Sequence, residues 1–188
     1  KGILLSLMAI LLVSGMMGAA YASFDTVNPQ NNFSDNKVDL KLIDQDELSW
    51  QDGVSATWVA PNMAPGDEFA FDESFVGLRG NVPGKVEITC DYEVDEEWMA
   101  KHMVITRFIY HNEEWQIQDF DGDGKVTFYD LKWSPVTNLP LPRRGHGTRF
   151  EMSVRFHQDA GNEFQGDTFN LTMIFTLNKL GQAKGKPH

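Results

Sequence analysis

The sequence predicts an all-β domain. It reads as a jelly-roll-like antiparallel β-sandwich with a calcium-loop insertion and one or two short helices, preceded by an N-terminal hydrophobic segment. Three observations carry this reading. Apolar residues recur at every second position in several separate stretches, most clearly at Phe169, Leu171, Met173, Phe175 and Leu177; this is the period of a strand with one buried face. Turn formers stand between those stretches, as in Met63-Ala64-Pro65-Gly66-Asp67, where Pro fixes one backbone angle and Gly takes the positive φ of a tight turn. One acidic stretch in mid-chain, residues 119–130, has the spacing of a metal loop set between strands.

Composition bounds the rest. A chain of 188 residues with 41% hydrophobic residues is long enough to bury the core of one domain and too apolar for general disorder. The formal net charge of -11 leaves no electrostatic footprint for nucleic acid and suits cation binding at an extracellular surface. Cys90 is the single cysteine, so no intrachain disulfide forms, and the core and a bound ion must supply stability. Cys90 alternates with Val86, Ile88 and Tyr92, which puts it on a strand facing the core rather than in a nucleophilic site.

Residues 2–24 carry no charge. Lys1, the apolar run from Ile3 to Val13 and the Ala20-Tyr21-Ala22 site make residues 1–22 a secretory signal peptide, cleaved between Ala22 and Ser23. The competing reading is a retained membrane helix, since the uncharged run is just long enough to span a bilayer. Residues 23–36 are polar, with Pro29 and a run of Asn, and read as an extended N-terminal segment. Asn32-Phe33-Ser34 within it is a glycosylation sequon.

Residues 37–180 form the sandwich. Val38, Leu40 and Leu42 alternate with Lys37, Asp39 and Lys41 as a half-buried strand; a second strand runs near residues 54–58, and a third begins at Phe69 and Phe71. Gly77, Gly80, Pro83 and Gly84 read as a connection. Residues 86–92 and 104–110 are strand-like around a short helix at 95–102. A second short helix, 129–133, leaves the calcium loop, and residues 134–147, rich in Pro and Gly, read as a loop. Residues 150–156 and 169–177 alternate as the closing strands, and residues 181–188 are a tail without apolar pattern. Asn170-Leu171-Thr172 is a second sequon, with Asn170 on the face opposite Leu171.

The mid-chain loop runs Asp119-Phe120-Asp121-Gly122-Asp123-Gly124-Lys125-Val126-Thr127-Phe128-Tyr129-Asp130. Ca²⁺ takes six to eight oxygen ligands, and a twelve-residue loop supplies them from positions 1, 3, 5, 7, 9 and 12 around a Gly at position 6. Asp119, Asp121 and Asp123 fill the first three, the Lys125 carbonyl the fourth, Thr127 or a water on it the fifth, and Asp130 the last, with Gly124 at the sharp turn. Asp130 is one methylene shorter than the usual closing Glu, a variant that resembles extracellular calcium modules such as dockerins. One copy of the loop argues for a fixed staple rather than a paired sensor.

Several segments together resemble the TasA/camelysin family. These are the hydrophobic leader running into Tyr21-Ala22-Ser23-Phe24-Asp25-Thr26, the Met63-to-Asp67 turn, and Ala160-Gly161-Asn162-Glu163-Phe164-Gln165-Gly166-Asp167 before a long last strand. The loop followed by Phe128-Tyr129-Asp130-Leu131 is similar to the archaeal branch of that family. The resemblance implies a secreted jelly-roll subunit of extracellular fibres or pili, in which an N-terminal segment of one subunit adds as a strand to the next. Phe24, Val27 and Phe33 would anchor that donor strand; Pro29 and weak alternation depart from a regular donor. The camelysin name also implies proteolysis, but no H-E-x-x-H occurs, and His111-Asn112-Glu113-Glu114-Trp115 lacks the second His.

The sequence therefore predicts a non-enzymatic subunit of a homopolymeric extracellular filament, a bundling pilus or biofilm-matrix fibre. It assembles by donor-strand complementation with identical subunits and is stabilised by Ca²⁺. The alternative is a calcium-stabilised surface or adhesion domain tethered to a membrane by its uncleaved N-terminal segment. A secreted metallopeptidase is the third reading.

Overall fold

A computed structural model describes residues 20–27, 40–43, 49–70, 76–82, 84–94, 97–141, 147–164 and 166–179. Most of the segment read as a signal peptide, the Asn32 sequon, Phe33 and the tail 181–188 lie outside the described residues. Among those described, no helix is long and apolar enough to cross a membrane.

Among the described residues, eleven strands make two sheets. In chain order they are β1 (Ala20–Val27), β2 (Leu40–Ile43), β3 (Gly53–Met63), β4 (Glu68–Ala70), β5 (Val76–Gly80), β6 (Gly84–Val94), β7 (Met103–Tyr110), β8 (Glu113–Glu114), β9 (Val136–Pro140), β10 (Thr148–Phe156) and β11 (Thr168–Lys179). The first sheet has the order β3-β1-β11-β6-β9, the second β2-β5-β10-β7-β8, with β4 also on β10. Except at β4–β5 and β7–β8, consecutive strands lie in opposite sheets, as a jelly-roll-like sandwich requires. Among the described strands, all pairs are antiparallel except β1 with β11.

The long final strand behaves as its alternation predicts. Phe169, Leu171, Met173, Phe175 and Leu177 are buried, and β11 pairs with β6 along its length, from Phe169 opposite Val94 to Lys179 opposite Gly84. Val86, Ile88 and Cys90 on β6 are buried beside them, and burial pushes the Cys90 thiol well above its usual range, so it stays protonated. The second sheet meets this face with Phe150, Met152, Val154 and Phe156 of β10, and the Phe150 and Phe175 rings interlock edge to face at 5.3 Å. On β7 the buried positions switch parity between Ile105 and Phe108, where the pairing with β10 skips Thr106: an extra residue is bulged out and the strand twists.

Three sequence expectations are corrected. Residues 76–80, read as a glycine-punctuated connection, are strand β5, paired with β2 and β10. Gly77 is there for close packing rather than for a turn: a Cβ on it would stand 2.7 Å from Ile43 Cγ2 and 3.3 Å from Trp50. Within residues 134–147, read as loop, Val136–Pro140 is edge strand β9 on β6. Its apolar residues, Val136 and Leu139, are three apart because Asn138 turns through φ 62° and the register shifts there, so no period of two was visible. Pro140 is tolerated because an edge strand leaves one side unpaired. Finally, the polar-looking start of the extended segment is not outside the sheets. Ala20–Val27 is a central strand, with β3 on one side and β11 on the other.

Both expected helices are present, the first shorter than read and the second one residue longer. The first is a 3-10 helix, Glu97–Lys101, where the chain crosses from β6 to β7. The second, α1 (Phe128–Trp133), continues the line of β9 along β6, with Thr89 Oγ1 donating to the Leu131 carbonyl at 2.9 Å and Cys90 Sγ to that of Phe128 at 3.4 Å.

Candidate metal centre

The acidic loop lies between β8 and α1 and is pinned at both ends to β7. At its start the Trp115 N–H donates to the Phe108 carbonyl at 2.9 Å, and Ile117 is buried; at its end the Ile105 N–H donates to the Val126 carbonyl at 2.8 Å. Val126 packs on the core and Phe128 and Leu131 are fully buried, so the loop cannot shift without moving core residues.

Within it, the carboxylates fold the backbone around themselves. Asp119 accepts the Gly122 N–H on Oδ1 at 2.7 Å and the Gly124 N–H on Oδ2 at 2.9 Å. Asp121 accepts the Asp123 N–H at 3.3 Å, and Asp123 the Lys125 N–H at 2.9 Å. Gly122 and Gly124 take φ of 72° and 84°, a turn that only glycine makes without strain. The result brings one carboxylate oxygen each from Asp119, Asp121 and Asp123 within 4.8 Å of one another.

Asp130 is not in that cluster. It is buried at N3 of α1, with Thr127 as N-cap. Its Oδ1 accepts the Phe120 N–H at 2.8 Å; its Oδ2 accepts the Thr127 N–H at 2.8 Å and the Thr127 hydroxyl at 2.7 Å. One carboxylate thus ties the start of the loop to its end and caps the helix. Thr127 is correspondingly buried, and Lys125 lies half-buried between the cluster and Val126.

Three carboxylates this close repel unless cations stand among them. Two lysines do. Lys125 Nζ is 3.1 Å from Asp123 Oδ2, and Lys101 Nζ, at the end of the 3-10 helix, is 2.6 Å from Asp121 Oδ2. The hydrogen bond from Lys101 is the chief cause that holds the Asp121 carboxyl below its usual range and raises the Lys101 ammonium above its own. Lys101 also lies over the Tyr129 ring at 4.1 Å and the Trp98 ring at 5.2 Å. Sequence reasoning missed Lys101: it stands eighteen residues before the loop, with no spacing that links it to Asp121.

The donors fit a hard divalent cation. The cluster offers three carboxylate oxygens, the donor type that hard cations such as Ca²⁺ or Mg²⁺ take. Of the other predicted positions, Phe24 pairs in register with Leu171 and Trp58, and Val27 with Ile174 and Gly53, inside the first sheet. Asn170 is exposed on β11, on the face opposite buried Leu171, between Ser23 and Glu93 in register. His102 faces the Trp98 carbonyl at 3.0 Å and His111 the Thr148 hydroxyl at 2.9 Å.

Compared with known proteins, the chain matches no family model and no curated sequence.

Proposed function

We propose that the chain is a subunit of an extracellular homopolymeric filament, a pilus or matrix fibre, in which the β1 strand is exchanged between neighbouring copies. The observation that carries this is the position of β1. It is the first strand among the described residues, yet it sits in the middle of a sheet, parallel to the last described strand, with no tight hairpin to either neighbour. Without it, β3 and β11 would each present a row of unpaired N–H and C=O groups to an open slot. Main-chain hydrogen bonds fill such a slot equally well from the same copy or from another, because the register is identical. Cleavage after Ala22 would leave Ser23 to Val27 as a short strand with a free leading end, suited to insertion into a neighbour. The resemblance to TasA/camelysin fibre subunits supports the same reading, and the reading includes no catalytic step. The tethered surface domain is the second reading, favoured by the apolar run that leads directly into β1.

Deleting residues 23–33 and supplying that segment as a separate peptide tests the proposal: the expected product is a domain that folds with the peptide in the slot between β3 and β11 and forms no filaments by electron microscopy. Filaments of normal form from the deleted chain would place the subunit contacts elsewhere.

In this reading the loop holds Ca²⁺ through Asp119, Asp121 and Asp123, with the Lys125 carbonyl, Thr127 and Asp130 completing or bracing the shell. The ion would supply the positive charge that Lys101 and Lys125 supply in its absence. At a hundredfold excess over Kd, an ion that binds only the folded state stabilises it by about 2.7 kcal/mol, so Ca²⁺ is expected to raise the Tm and Asp121→Ala with Asp123→Ala to abolish the rise. Lys101 competes for Asp121. An exposed pair of this kind is worth only ~0.2–1 kcal/mol, so Lys101→Ala is expected to tighten Ca²⁺ binding by a few-fold in calorimetry. Weaker binding in that variant would mean that Lys101 supports the site rather than competing for it.

A further inference from the structure

Three large hydrophobic side chains stand out of the described surface: Trp98, Phe120 and Trp133, at 64%, 50% and 55% exposure. They come from three elements, the 3-10 helix, the acidic loop and the end of α1, and converge on one side of the sandwich. The Phe120 and Trp133 rings lie nearly parallel, 23° apart, with centroids at 6.5 Å, and Tyr129 is 6.4 Å from both. Lys101 continues the row, lying over both Tyr129 and Trp98.

The fold does not need these rings at the surface. The same elements are held by Met99, Ala100, Phe128 and Leu131, all fully buried. Polar residues at the exposed positions would serve the fold equally well and would avoid an open aromatic patch, so the patch points to a ligand.

Its surroundings restrict the ligand's chemistry. Open aromatic faces take a flat apolar surface. The acidic Asp119, Asp121 and Asp123 cluster adjoins Phe120, and the chain carries a net charge of -11, so a polyanion or an anionic lipid surface would be repelled. A second copy meeting this one patch to patch would set its own Asp119, Asp121 and Asp123 against the same cluster. A wholly apolar partner would have to desolvate Lys101, Asp121 and the Ser134–Gln118 hydrogen bond beside the rings. The ligand that meets both demands has an apolar C–H face and a rim of uncharged hydroxyls.

We propose that the exposed Phe120 and Trp133 rings, with Trp98 at the far end of the row, form a binding platform for a neutral polysaccharide, with pyranose rings stacked on these rings and their hydroxyls bonded to Lys101, Gln118 and the loop carboxylates. The platform needs neither strand exchange nor a bound cation, so it stands or falls apart from the filament reading.

The test is affinity electrophoresis of the full chain through gels containing hydroxyethylcellulose, mannan or galactomannan, with polygalacturonate as the acidic comparator. Retardation by at least one neutral glycan and none by polygalacturonate is expected. Phe120→Ala with Trp133→Ala should weaken retardation at least tenfold, and Trp98→Ala by less, with Tm and filament formation unchanged. Should the double variant not fold, quenching of wild-type tryptophan fluorescence by the retarding glycan is the second readout. Migration unaffected by every neutral glycan would overturn the proposal, as would retardation that survives the double variant. Loss of self-association in a folded double variant, with glycan retardation intact, would make the patch a subunit contact instead.

Discussion

Phe175→Ala is expected to lower the unfolding free energy by about 3–5 kcal/mol. The ring is fully buried on the strand with two long-paired neighbours, β6 on one side and β1 on the other. It crosses the interior to Phe150 of the opposite sheet, which in turn meets Phe108 at 5.1 Å. Removing it empties the point where the two sheets interlock, and strands paired on both sides cannot move in to close the gap. Urea denaturation should show a lower midpoint with an unchanged slope. Asn178→Ala, on an exposed position of the same strand, is the control and should fall within about 0.5 kcal/mol of the parent. A loss for Phe175→Ala as small as the control's would mean that the sheets are not keyed together there.

Asp130→Ala is expected to cost about 3 kcal/mol, most of it independent of calcium. Its carboxylate accepts three hydrogen bonds in a buried place, from the Phe120 N–H, the Thr127 N–H and the Thr127 hydroxyl. Alanine leaves those donors without their acceptor, and water reaches them poorly. Asp130→Asn should do almost as much harm, because an amide turns one acceptor oxygen into an NH2 facing N–H donors. The decisive comparison is in excess chelator. A brace remains costly to lose there and the Phe120 and Thr127 amides exchange faster in the variant, whereas a residue acting only as an ion ligand would show no effect without the ion.

The fold was legible where side-chain period and burial agree. In β11, β6 and β10 alternation reports the buried face directly, because those strands have one face on the core over most of their length. It failed where backbone geometry breaks the period. In β9, Asn138 at φ 62° and a shifted register space Val136 and Leu139 by three. In β5, Ile43 and Trp50 pack close against Gly77 and Leu141 and Leu177 against Gly80, and from sequence alone such glycines look like turn residues. β1 was hidden for another reason: its place depends on partners at β3 and β11, remote in the chain, and nothing local marks a strand as central.

At the candidate site, the spacing of Asp119, Asp121 and Asp123 brought together the residues it predicted. The spacing could not reveal that Asp130 is engaged with the loop's own backbone, since a carboxylate at that position serves a helix cap and a metal shell equally well. Nor could it reveal Lys101 or the aromatic row, which exist only because the 3-10 helix after β6 folds against the loop.

The most direct test of strand exchange uses the register itself. Asp25 pairs with Thr172 across the parallel β1–β11 contact, and neighbouring strands bring such Cα atoms within disulfide range. A chain carrying Asp25→Cys and Thr172→Cys, with Cys90→Ala to remove the native thiol, should be assembled, mildly oxidised, and run on a denaturing, non-reducing gel. Exchange between subunits predicts a ladder of covalent oligomers that collapses to one band on reduction. A single monomer band, with the cross-link formed inside each chain, would contradict the account.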